Sequence, residues 1–177
     1  LAFSSNTFLI LSEIVNYFTS KKPIVIALSI VILSSLAMQI SDETFSLNKW
    51  FMSYMGIFFI IFSFLKLLNV SGFSMTFKKY DLISKIIPPY ATSYPFIELS
   101  LGIIFLTQTQ SILIYANAFT LIFMVSQTIG IIRSLSKSEQ IQCACMGSAV
   151  DVPLSSLTVV ENITMIAMAT YMIIQFL

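Results

Sequence analysis

The sequence predicts an all-α membrane protein. Of its 177 residues, 57% are apolar and only 10% are charged, whereas a soluble domain carries roughly a quarter of its residues as charges. The apolar residues come in long blocks rather than alternating stripes, which is the pattern of membrane-spanning helices. The basic residues gather between those blocks, as they do in the loops of multi-span proteins. A net charge of +1 with no basic run excludes a nucleic-acid partner. Histidine is absent, so imidazole bases and histidine metal ligands are excluded as well. The sixteen Phe and nine Met fit lipid-facing and packing surfaces better than a ligand box.

Residues 7–19 form a short apolar run broken by Ser12, Glu13 and Asn16, with Phe8, Leu11, Val15 and Phe18 on one helical face. That pattern predicts an interfacial helix lying on the membrane. The order of charge and apolar residues does not match a cleaved secretory signal, because Lys21 and Lys22 follow the apolar stretch. The chain opens on Leu1, so a further upstream domain is an open expectation.

Five spans follow. Pro23–Ile40 rises ~27 Å, close to the hydrocarbon thickness. Trp50–Val70 has Trp50 and Tyr54 as interfacial anchors. Ser93–Thr107 places Pro95 in a first turn, where proline is tolerated. Ser111–Ile132 and Leu154–Leu177 complete the set. The connection Ser71–Thr92 reads as a basic loop with Lys78, Lys79 and Lys85, in which Pro88-Pro89 breaks any helix. With five spans, the positive charges share one side. The positive-inside rule puts the N-terminus and the loop after span four in the cytoplasm.

Whatever the absolute orientation, alternation brings the end of span two, the start of span three, the end of span four and the start of span five to one membrane face. The unusual residues sit at those ends: Lys66, Glu98, Arg133, then Glu161 with Asn162. A buried ionisable group in a span is costly, commonly ~2.5–3.5 kcal/mol at mid-bilayer. Lys66 can snorkel on its long stem, and Glu161 sits where a helix dipole favours acids. Glu98, between Ile97 and Leu99, has neither escape. It is expected to face the bundle interior and pair with Lys66, either to lock the helices or to serve chemistry.

The only two cysteines lie one residue apart, Cys143-Ala144-Cys145, followed by Met146-Gly147, in the loop between spans four and five. Three readings stand. They can be inert small hydrophobes. They can be a redox pair, since a C-x-C disulfide closes a small strained ring and is labile, with Arg133 and Lys137 near enough in sequence to lower a thiol pKa. Or they can clip a thiophilic metal ion such as Cu(I), with Met146 as a thioether ligand. A structural zinc site is not expected, because it wants four ligands.

The run Tyr94-Pro95-Phe96-Ile97-Glu98-Leu99-Ser100-Leu101-Gly102 resembles the P-x-x-E-x-x-x-G signature of the MauE/DoxX family of redox-associated membrane proteins. Phe62–Lys66 is similar to that family's lysine-bearing helix, and Tyr80 to its loop tyrosine. The ending Cys143-Ala144-Cys145-Met146-Gly147, then Val152-Pro153-Leu154-Ser155 and Glu161-Asn162, resembles the family's C-x-C-x-G close. The resemblance implies a four-helix transmembrane bundle of DoxX type over residues 50–177. An extra span and loop (23–49) and the interfacial segment (1–22) would precede it. It further implies a multi-pass protein of a bacterial inner membrane, associated with maturation of methylamine dehydrogenase. Ala144 and Met146 depart from the usual Gly and Phe and resemble members that carry a heavy-metal-associated domain ahead of the helices.

Two functions follow as expectations. In the first, Cys143 and Cys145 exchange disulfides or support maturation of a protein client, with Glu98 and Lys66 as catalytic partners. In the second, Cys143, Cys145 and Met146 receive copper or mercury, with Glu98 and Glu161 lining the entry. A blander alternative is a scaffold whose thiols are incidental. No nucleotide, flavin or haem site is indicated.

Overall fold

The computed structural model describes residues 22–40, 44–137 and 156–176, and within them every regular element is α-helical. Seven helices are seen among these residues: α1 (Lys22–Ala37), α2 (Leu47–Leu67), α3 (Val70–Tyr80), α4 (Leu82–Ile86), α5 (Pro88–Thr107), α6 (Gln110–Ser136) and α7 (Ser156–Phe176). Three stretches, Leu47–Leu67, Gln110–Ser136 and Leu157–Gln175, are long and apolar enough to cross a membrane. They correspond to the second, fourth and fifth expected spans. α1 is apolar but has only 16 residues. α5 has 20 residues, with Pro88, Pro89, Tyr90, Thr92, Ser93 and Tyr94 crowding its first half. The expected interfacial helix at 7–19 lies outside the described residues.

The helix ends follow from local chemistry. Ser46 caps α2 by accepting the Lys49 amide at 3.5 Å. Asn69 caps α3 by accepting the Gly72 amide at 2.8 Å. Each satisfies one of the amides that a helix start leaves without an intrahelical acceptor. α5 ends at Gln108, held left-handed at φ 53°, which turns the chain directly into α6.

α1 packs on α2, where the Trp50 indole donates to the buried Ser35 hydroxyl at 3.1 Å. The two most extensive pairings are α2 with α5 and α6 with α7. Antiparallel α2 and α5 cross at Gly56 and Gly102. A Cβ on Gly102 would stand 3.0 Å from both the Gly56 carbonyl and the Ile60 amide nitrogen. The two backbones therefore touch, as small residues permit between helices in lipid. One large apolar core runs through the helix interior, centred on Met55, Phe59, Phe105, Leu113 and Met165.

Two expectations are corrected. Ser71–Thr92 is not a loop but contains α3 and α4 and the start of α5. Phe73, Phe77 and Tyr80, at helical spacing, form one apolar face that buries against Tyr94 of α5 and Ile131 of α6. Pro88-Pro89 starts a helix instead of breaking one, because proline at the first helical positions lacks only an amide that would have no partner there. As a result Pro95 lies inside α5, not in its first turn.

The α3–α4 corner is fastened to α6 by Asp81, which is fully buried. Its carboxylate accepts the Ser84 amide at 2.7 Å, capping α4, and the Ser126 hydroxyl of α6 at 2.8 Å. Gly130 of α6 lies directly against the Tyr80 carbonyl, so no side chain fits there. Burial pushes the Asp81 carboxyl above its ordinary 3.8, while the hydrogen bonds from Ser84 and Ser126 hold it back.

A buried ion pair in an aromatic box

Lys66 is the penultimate residue of α2, where a cation is favoured by the negative end of the helix dipole. The close α2–α5 crossing brings its stem alongside Glu98, midway along α5. The Lys66 ammonium donates to both carboxylate oxygens of Glu98, at 2.6 Å to Oε1 and 2.5 Å to Oε2. Both side chains are almost completely buried, Lys66 at 6% and Glu98 at 2% exposure. Lys66 therefore does not snorkel. Removing two ions from water costs several kcal/mol each, which their attraction offsets only when the geometry is good.

Aromatic rings from three helices close around the ammonium. Phe62 lies 5.9 Å from Nζ, Phe73 5.8 Å and Tyr94 5.4 Å, measured to the ring centroids. At these distances the ring faces add cation–π attraction to the salt bridge. The Tyr94 hydroxyl in turn accepts a hydrogen bond from the Gln127 amide of α6. The ion pair is thus held by α2, α3 and α5, and its aromatic wall is tied to α6.

α7 completes the site. Lys66, Glu98, Gln127, Thr158, Glu161 and Asn162 are among the residues around one small cavity of about 20 Å³, room for a water molecule. Glu161 and Asn162 are each 5% exposed. Glu161 Oε1 and Asn162 Nδ2 are buried without a hydrogen-bond partner among the described residues. The cavity therefore holds two carboxylates and one ammonium, and the ammonium is bound to Glu98.

Of the residues singled out in the sequence, Lys66, Glu98, Glu161 and Asn162 meet at this cavity. Arg133 does not; it is exposed on α6. Cys143, Cys145 and Met146 lie outside the described residues, in the segment that joins the end of α6 to the start of α7. Among the described residues, no group of three or more Cys, Asp or Glu side chains is placed to hold a metal ion. Sequence reasoning missed the aromatic box as a unit. Its signal was the spacing of Phe73, Phe77 and Tyr80, which marks a helix face inside an otherwise polar stretch.

A family model described as methylamine utilisation protein MauE matches residues 45–175. Neither a curated protein nor a solved structure gives a match.

Proposed function

Because the chain belongs to the MauE family, we propose that this membrane protein supports thiol–disulfide exchange, or the maturation of a partner protein, through Cys143 and Cys145. The observation that carries the reading is the buried Lys66–Glu98–Glu161 cluster. The cluster borders one cavity with residues of α6 and α7, the two helices that the cysteine segment joins in the chain. Ionisable groups kept at such a cost inside a membrane bundle are a mark of function.

In this reading the thiolate of one cysteine attacks a disulfide of the client, and one client sulfur leaves as a thiolate. The second cysteine then attacks the mixed disulfide. The products are a Cys143–Cys145 disulfide and a client dithiol, so two electrons and two protons pass to the client. The reverse reaction oxidises the client. In this reading Lys66 and Glu98 position the cysteine loop or tune its protonation. The fold reading that goes with this is a four-helix bundle of α2, α5, α6 and α7, preceded by the α1 span. Lys78, Lys79 and Lys85, all exposed, would then face the cytoplasm with the cysteine segment.

The test is acid-quenched thiol trapping in native membranes, comparing the unaltered chain with Cys143→Ser and Cys145→Ser. A Cys143–Cys145 disulfide that forms and reduces reversibly across glutathione potentials is the expected result. Thiols that stay free throughout, yet bind Cu(I) in a cysteine-dependent way, would replace this reading with metal handling.

A further inference from the structure

Glu98 has its cation; Glu161 has none among the described residues. Both oxygens of Glu98 are taken by Lys66, at 2.5 and 2.6 Å. Glu161 is 95% buried, lines the same cavity, and presents an acceptor oxygen with no partner. The neighbouring Asn162 presents an unpartnered donor to the same space. A buried carboxylate without a salt bridge must carry a proton or a bound cation. A metal cation fits poorly here, because the Lys66 ammonium borders the cavity and repels it, and Asn162 offers a donor nitrogen. The same ammonium also works against a proton on Glu161, but a proton needs no further oxygen ligands, and the neutral acid it makes is the form that burial favours.

We propose that Glu161 is a proton-binding site, exchanging its proton through a water held between its carboxyl and the Asn162 amide. The cavity is of the right size for that water. The water would hydrogen-bond the Glu161 carboxyl and accept from Asn162 Nδ2, answering both unpartnered atoms at once. The titratable groups facing the site are few. α2 contributes Lys66 and, within electrostatic reach, Tyr54. α3 contributes Tyr80 and α5 contributes Glu98, while Met124 and Gln127 of α6 carry no charge. Moving a proton onto or off Glu161 therefore changes the net charge of the cavity beside a fixed ion pair. That is a means of coupling proton uptake to whatever approaches this end of the bundle. The site consists only of helix residues and does not require the cysteines.

Infrared spectroscopy of the full-length protein in lipid nanodiscs tests this directly. A protonated carboxylic-acid carbonyl band should appear in mildly acidic buffer, shift in D2O, and fade as the buffer is made alkaline. It should be absent in Glu161→Gln, displaced rather than lost in Glu161→Asp, and unchanged in the Cys143→Ser/Cys145→Ser double variant. The last arm separates this proposal from the thiol reading, because the double variant abolishes disulfide trapping yet keeps the band. With every protein carrying Asp81→Asn, so that the other carboxyl pushed up by burial adds no band, a band that survives in Glu161→Gln, or one that does not shift in D2O, overturns the proposal. So does the absence of any such band in a folded, unaltered protein.

Discussion

At the scale of single residues, the account rests on Lys66 and Glu98. Each is buried, and each is tolerable only because of the other. Replacing one alone, as in Lys66→Met or Glu98→Leu, leaves an uncompensated charge and should cost about 3–5 kcal/mol. The double replacement should recover much of that loss, because two apolar side chains can fill the box formed by Phe62, Phe73 and Tyr94. Thermal unfolding in detergent of the two single variants and the double variant measures this coupling. Additive losses would mean the pair is not the unit it appears in the geometry. Gln108 offers a second residue-scale test. Its left-handed backbone strains any side chain, so Gln108→Gly should stabilise the α5–α6 turn by about 0.5–1 kcal/mol. Glu98 was legible in the sequence because a short carboxylate between Ile97 and Leu99 has no route to the headgroups. Tyr94 as part of the box was not. Whether an aromatic residue faces a cation or lipid depends on helix rotation, which no local pattern fixes.

At the scale of elements, the α2–α5 crossing and the α3–α4 corner position the site. Gly102 lets α2 and α5 touch. Gly102→Leu should force them apart, loosen the Lys66–Glu98 contact and lower the melting temperature more than the same change on a lipid-facing turn. The corner depends on Asp81. Its carboxyl is held above 3.8 in the fold, so the folded protein binds more protons than the unfolded chain just above that pH. Docking of the corner should therefore weaken as pH rises through that window. Hydrogen exchange of the α4 amides should follow this trend in the unaltered chain and lose it in Asp81→Asn. The opposite slope would mean that the hydrogen bonds outweigh burial. The corner was hidden in the sequence by its charges. Lys78, Lys79 and Lys85 gave Ser71–Thr92 the look of a loop, although Lys78 and Lys79 are the exposed side of α3, whose other face is Phe73, Phe77 and Tyr80, and Lys85 is exposed on α4. Pro88-Pro89 misled for a related reason. The same ring that breaks a helix interior is well suited to its first turn.

At the scale of the molecule, a MauE-family membrane protein gathers Lys66, Glu98, Glu161 and Asn162 at one cavity, buries Asp81 separately at the α3–α4 corner, and packs the rest around a large apolar core. The expected alternation of spans put Lys66, Glu98, Glu161 and Asn162 on one face, and in the fold these four border one cavity, although Glu98 stands midway along α5 rather than at its start. It could not give the depth or rotation of each side chain, and so it included Arg133, which the structure leaves exposed on α6. The central claim joins that cavity to the thiols of Cys143 and Cys145. Its most direct measurement is the rate at which the pair exchanges with a model disulfide in lipid vesicles, in the unaltered chain and in folded Glu98→Gln and Glu161→Gln variants. The account predicts that exchange slows by about tenfold or more in the variants, as expected when a polar group that supports proton transfer is lost. Equal rates in all three proteins would contradict it, because the buried cluster and the cysteines would then have no chemistry in common.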